Sequence, residues 1–384
     1  MSAVPASSPV PPGLLSKSDF PALLVALQAE GYRIKGPVLR AGTIGWGDIS
    51  RVEDLPIGWQ DYQEPGRYRL EHTPSNRLFD VLHGPDSLKR ETFAPEETLL
   101  VIERKQKGFS TKPVLPSSER TAMLGVRACD LAGLKIQDRI FLNDCFPDPY
   151  YKVRRDNLFL IAVHCTRTLE TCFCASMGTG PKAQTGFDLV LTESNEDMVV
   201  QSGSPQGNTI MAALPLSPVS EHRLNEDEAR FLACAAQQTR RIDSSGLPET
   251  LYELHDSHQW ETVAERCLAC TNCTMVCPTC FCHTVEDNTD LSFTTTTRVR
   301  KWDSCFTQDH GCIHGKNFRP TIKDRYRMWL THKLASWIDQ FGTSGCVGCG
   351  RCLTWCPVGI DLTQEMQKLF DSIEQKNSHD PSTP

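Results

Sequence analysis

Apolar residues recur at helical spacing over residues 14–31, with Ser16 and Ser18 placed to cap and Gly31 to stop, so the pattern predicts an amphipathic helix. Strand-like pieces and turns follow to about residue 100. The pattern then becomes strands at 99–102 and 121–126, a helix at 130–142, and strands at 158–163 and 187–192. Uniformly apolar runs in that order belong in a buried, at least partly parallel sheet. The Ser-, Pro- and Gly-rich stretch 201–221 reads as a loop or hairpin. Helices are expected over 225–242, 248–266, 322–341 and 361–376. No apolar run approaches the ~20 residues that a bilayer-spanning helix needs, so no membrane span is expected.

The second half carries a sharper signal. Cys267, Cys270, Cys273 and Cys277-Pro278 are followed by Cys346, Cys349, Cys352 and Cys356-Pro357, one CxxCxxCxxxCP run written twice. This is the ligand spacing of two-cluster bacterial-type ferredoxins, in which the last Cys of each run serves the other cluster. Cys267, Cys270, Cys273 and Cys356 are therefore assigned to one [4Fe-4S] cluster. Cys346, Cys349, Cys352 and Cys277 are assigned to the second. Small residues such as Ala269, Gly348 and Gly350 are expected to let the loops pass close to the clusters. Structural zinc also uses CxxC pairs, but it leaves the third Cys and the proline without a role. The runs lie far apart in sequence with a helical stretch between them, which favours a helical ferredoxin-like domain over the compact β-α-β form. The predicted fold class is α+β: an α/β domain over 14–222, a helical connection over 223–250, a mainly helical two-cluster domain over 251–376, and disordered tails at 1–13 and 377–384.

Composition narrows the setting. With 18 Cys and no signal-like leader, the thiols read as ligands or free side chains in a reducing, cytoplasmic compartment. A net charge of −7 disfavours nucleic acid as a partner. The basic stretch 316–333 is either a solvated helix face or a docking surface for an acidic partner. No GxGxxG follows a strand and no GxxxxGK[ST] occurs, so no nucleotide cradle is predicted.

The remaining thiols fall into groups. Cys129, Cys165, Cys172 and Cys174 follow two predicted strands, where α/β sheets build sites. They are either ligands of a third iron-sulfur cluster or buried apolar side chains. Cys280, Cys282 and Cys305, with Cys312, form a weaker set that either binds a cluster or flanks the one at Cys277. Cys145 and Cys234 read as plain thiols, and His164, His283, His310 and His314 as surface or core residues.

Beyond the runs, several longer stretches carry a family resemblance. They are Gly125-Val126-Arg127-Ala128-Cys129-Asp130-Leu131, Asp148-Pro149-Tyr150-Tyr151 with Arg154-Arg155, and Cys172-Phe173-Cys174-Ala175-Ser176-Met177-Gly178-Thr179-Gly180-Pro181. Cys277-Pro278-Thr279-Cys280-Phe281-Cys282 and Trp302-Asp303-Ser304-Cys305 add to them. Together these resemble the β subunit of cytoplasmic nickel-iron hydrogenases, the sulfhydrogenases, and the related A subunit of anaerobic sulfite reductase. The resemblance implies an iron-sulfur electron-transfer subunit rather than a catalyst by itself. Its implied partners are a flavin subunit handling NAD(P)H and a terminal redox subunit bearing nickel-iron or sirohaem. A free-standing carrier and a scaffold with structural clusters are the alternatives.

Overall fold

In the computed structural model, which describes residues 10–142 and 145–378, the apolar runs Thr121–Val126 and Leu158–Val163 pair in parallel at the centre of an eight-stranded sheet. Leu189–Glu193 extends the parallel section on one side and Arg33–Arg40 on the other. Antiparallel strands close both flanks: Thr43–Asp48 beyond Arg33–Arg40, and Asp197–Ser202, Gly13–Ser16 and Ser217–Pro218 beyond Leu189–Glu193. The two central runs have no polar face because both faces are covered. Ala122, Leu124, Phe159 and Ile161 pack with Phe20, Leu23 and Leu27 of the helix Phe20–Ala29. Met123, Val126, Leu160 and Ala162 point the other way, onto Leu131, Leu134 and Phe141 of the helix Ala128–Phe141. The period-two alternation of a strand thus splits one apolar run between two cores.

Several elements differ from the expectation, among them the helix read over 248–266, which is two helices, Leu247–Glu253 and Gln259–Ala264. The first helix begins only at Phe20, because Leu14 and Leu15 are used as strand residues opposite Val199 and Met198. The run at 99–102 lies in the strand Glu96–Arg104 of a separate four-stranded antiparallel sheet, with Phe109–Pro113, Thr295–Trp302 and His283–Thr289. That hairpin from the second half adds two strands where a mainly helical reading had none. Within 201–221, Ser204 caps a short helix, Pro205–Ala212, by accepting from the Gly207 amide. The expected tails fall mostly outside the described residues, although a strand starts at Gly13 and the last helix reaches Ser378.

Apart from that hairpin and a short antiparallel pair, Cys312–Ile313 with Lys316–Asn317, the regular structure of the second half is helical. Gln259–Ala264, Ile322–Thr331, Trp337–Phe341 and Leu362–Ser378 surround a core of Trp260, Tyr326, Trp329, Leu330, Leu353 and Leu369. Phe173, from the first half, is buried in the same core, so the two halves share packing. The basic stretch 316–333 is not simply a solvated face: Arg325 and Lys333 are buried. A π-helical turn, His332–Ser336, interrupts the ladder at Lys333. The fold is α+β, with parallel strands in its N-terminal sheet.

Candidate functional site

Each cysteine run folds into the same local shape. Ala269 and Thr271 in the first run, and Gly348 and Gly350 in the second, all have positive φ. A one-turn helix follows in each, Asn272–Met275 and Arg351–Thr354. The left-handed residues turn backbone amides onto the first thiol of each run: Ala269 N–H reaches Cys267 Sγ at 3.4 Å, and Gly348 N–H reaches Cys346 Sγ at 3.5 Å. Ile360 N–H does the same for Cys356 at 3.3 Å. Amides aimed at sulfur stabilise thiolates and the charge of a bound cluster.

The fourth cysteines cross over. Cys267, Cys270, Cys273 and Cys356 line one cavity together with Cys352 of the second run, walled by Phe306, Tyr326, Trp329 and Leu362. Cys346 is pushed up to about 12 by burial, with Cys277 and Cys349 adding to the shift. Cys352 is raised by burial and then by Cys346, Cys349, Cys277 and Cys273. Cys277 is thus close enough to Cys346 and Cys352 for its charge to act on both, and Lys333 Nζ, which donates to Cys277 Sγ, also donates to Gly345 O just before the second run. Such burial disfavours bare thiolates at Cys346 and Cys352, and a bound cationic metal would hold those sulfurs ionised. A multi-iron cube, whose thiolates are spread around it, fits this donor set.

Gly348 and Gly350 also make room for a second close approach. A Cβ on Gly350 would lie 2.2 Å from Thr171 O, and one on Gly348 would lie 2.7 Å from the Phe173 backbone. These glycines let the second run cross the loop that carries Cys172 and Cys174. Phe173 N–H donates to Gly348 O at 2.9 Å, and Thr179 Oγ1 donates to Val347 O at 2.6 Å. Below the crossing, Arg351 and Asp130 form a fully buried ion pair at 2.9 Å.

The crossing brings the sheet-end thiols to the second run. Cys129, Cys165, Cys172 and Cys174 line one cavity together with Cys349, His83 and Arg127. Burial raises all four, Cys172 to about 12. Arg127, just past the strand Thr121–Val126, donates to Phe79 O at 2.7 Å and Val81 O at 2.6 Å. Gln238 Nε2 donates to Cys174 Sγ at 3.2 Å. Burial first, then Cys165 and Cys174, pushes Cys234 up to about 12, which places a thiol read as plain beside this set. Gln238 and His83 carried no signal in sequence, because only the folded chain puts them here.

The weaker set does not gather as one group. Cys280 is within hydrogen-bonding reach of Cys277, whereas Cys282 is within reach of Cys305 and His310. Cys312 is exposed. Lys333 Nζ donates to Thr279 Oγ1 at 2.8 Å and to Cys277 Sγ at 3.4 Å. Burial works against that ammonium, but Cys277, Cys280 and Cys346 more than offset it and hold it charged. Lys89 lies 3.8 Å over the Trp302 ring, and its burial lowers it to about 8.

Residues 266–360 match the family model of a 4Fe-4S dicluster domain. Over 362 residues the chain is 30% identical to the sulfhydrogenase 2 subunit beta of Pyrococcus furiosus, covering 94% of this chain and 98% of that one. No solved structure matches. No helix among the described residues is long and apolar enough to cross a membrane.

Proposed function

The chain belongs to the sulfhydrogenase beta-subunit family, and on that premise we propose that it is the electron-transfer subunit of a cytoplasmic nickel-iron hydrogenase complex, set between an NAD(P)-linked flavin subunit and the terminal metal site. The observation that carries this reading is the crossed arrangement of the two runs, with Cys356 in the wall of Cys267, Cys270 and Cys273 and Cys277 among Cys346, Cys349 and Cys352. Cys267, Cys270, Cys273 and Cys356 would hold one [4Fe-4S] cluster, and Cys346, Cys349, Cys352 and Cys277 the second. Cys129, Cys165, Cys172 and Cys174 would hold a third. Such clusters accept and release one electron at a time.

The residues around the sites order them. Cys349 belongs to the second site and also lines the cavity of the third. Cys352 and Cys273 bring the second site to the first. Cys270 is exposed, with Leu268 beside it 62% exposed, so the first site reaches the surface while the third is enclosed. The proposed line is therefore third site, second site, first site, partner. Lys333 supplies a fixed positive charge at the second site, and the amides of Ala269, Gly348 and Ile360 neutralise sulfur charge without moving.

Anaerobic purification of a tagged form from its own host, with the bound proteins identified by mass spectrometry, tests the assignment. Hydrogenase large and small subunits together with a flavin subunit are expected. A sirohaem subunit, or the chain alone, would contradict it.

A further inference from the structure

A cavity of about 530 Å³ opens between three stretches of chain that the proposed clusters leave largely unused. One wall is a stripe of the helix Ala128–Phe141, in which Ala128, Leu131, Lys135 and Arg139 recur every three or four residues and so share a face. The second wall is the loop 177–186, and the third is 343–347, which carries Cys346 and Val347. The bond from Thr179 Oγ1 to Val347 O ties these two walls together. The volume falls within the roughly 300–1,000 Å³ of small-molecule sites.

The charge of the cavity runs against that of the chain. The whole sequence carries −7, yet Lys135, Arg139, Arg155 and Lys182 line this space against a single carboxylate, Asp138. Arg155 answers that carboxylate at 3.1 Å, and Tyr151 Oη donates to it at 2.7 Å. Lys182 pairs with Glu228, outside the cavity. Arg139 is held by uncharged groups, donating to Phe341 O at 3.0 Å and to Thr343 Oγ1 at 2.8 Å. Lys135 is exposed and makes no ion pair or hydrogen bond among the described residues. Lys135 and Arg139 thus stand four residues apart on one helix face with like charge and no carboxylate paired to either. Such a pair costs helix stability unless an anion offsets it.

The loop adds neutral donors. Gly178 and Gly186 have positive φ, and a Cβ on either would meet nothing within 4 Å. The amides of Gln184, Thr185 and Gly186 donate to no protein group among the described residues. Leu131, Ala132, Met177 and Val347 supply an apolar side, and a thioether packs well on an aromatic ring.

We propose that this cavity binds a mononucleotide, whose phosphomonoester Lys135 and Arg139 neutralise and whose ring the apolar side covers. Flavin and purine mononucleotides share that chemistry. A flavin bound here would lie beside Cys346, a proposed ligand of the second cluster; a purine nucleotide would lie there without a redox role. No glycine motif marks the site in sequence, because its walls come from both halves of the chain. Binding involves no electron transfer, so the proposal and the electron-transfer reading stand or fall separately.

The test is equilibrium dialysis of the full chain, purified anaerobically with its clusters loaded, against flavin mononucleotide and, separately, adenosine monophosphate. At least one of the two should be retained at one site per chain, and its counterpart without phosphate, riboflavin or adenosine, should bind roughly tenfold or more weaker. Lys135→Glu should lower the affinity by roughly tenfold or more. Because Lys135 makes no contact within the protein, that variant should keep wild-type iron and fold. Lys112→Glu makes the same charge change on the exposed strand Phe109–Pro113 and should leave binding unchanged. Retention of the flavin or of the purine decides which mononucleotide the site takes. Retention of neither at about 1 mM overturns the proposal. An equal loss from Lys112→Glu, or inorganic phosphate that binds as tightly as the mononucleotides, overturns it as well.

Discussion

At the scale of single residues, the site is a balance between buried sulfur and a few fixed charges. Cys352 is a ligand in the proposed second cluster and is surrounded by the charge of Cys346, Cys349, Cys277 and Cys273. Cys352→Ser should remove or convert that cluster and leave the other intact, read as iron per chain together with the visible spectrum. An unchanged iron content would make the ligand assignment wrong. Lys333 lies 3.4 Å from Cys277 Sγ. Lys333→Met removes a positive charge that favours the reduced state, so the midpoint of the second cluster should fall by on the order of 100 mV at an effective dielectric near 20. A potential unmoved by the substitution would show that the ammonium plays no part in tuning. Arg351 and Asp130 are both fully buried and pair at 2.9 Å. Asp130→Asn leaves the guanidinium without its counter-charge and should cost about 3–5 kcal/mol in denaturant unfolding.

At the scale of elements, the most informative junction is the crossing of two loops. Gly350 has φ +76°, and a Cβ there would meet Thr171 O at 2.2 Å. Gly350→Ala combines backbone strain with a backbone clash. It should therefore lose iron from the second site and from the Cys129, Cys165, Cys172 and Cys174 site together; loss from neither would show that the crossing tolerates a side chain. The thiol spacing of both runs was legible because CxxCxxCxxxCP is a local pattern whose chemistry needs that spacing. The strands Thr121–Val126 and Leu158–Val163 were legible because they are apolar on both faces. What escaped was non-local. Leu14 and Leu15 fit a helical period but are consumed by pairing with Val199 and Met198. The Thr-rich strand Thr295–Trp302 is mostly half-buried and joins a strand about two hundred positions earlier in the chain, a partnership no window of sequence contains. Lys333 read as part of a basic face because its turn into the core depends on a π-helical step.

At the scale of the whole molecule, the two halves are joined through a shared antiparallel sheet and through the loops that carry the cysteines. Phe173 is buried in the second-half core, and Cys349 lines the first-half cavity. That interpenetration would let the three proposed sites form one line from the carboxyl ends of the parallel strands to the exposed Cys270. Whether these thiols hold clusters that carry electrons is decided by a potentiometric titration of the anaerobic protein with dithionite, followed by electron paramagnetic resonance. The account predicts reducible [4Fe-4S] signals from at least two clusters, broadened by coupling between neighbours. Iron that dithionite leaves oxidised, or zinc in place of iron, would contradict it.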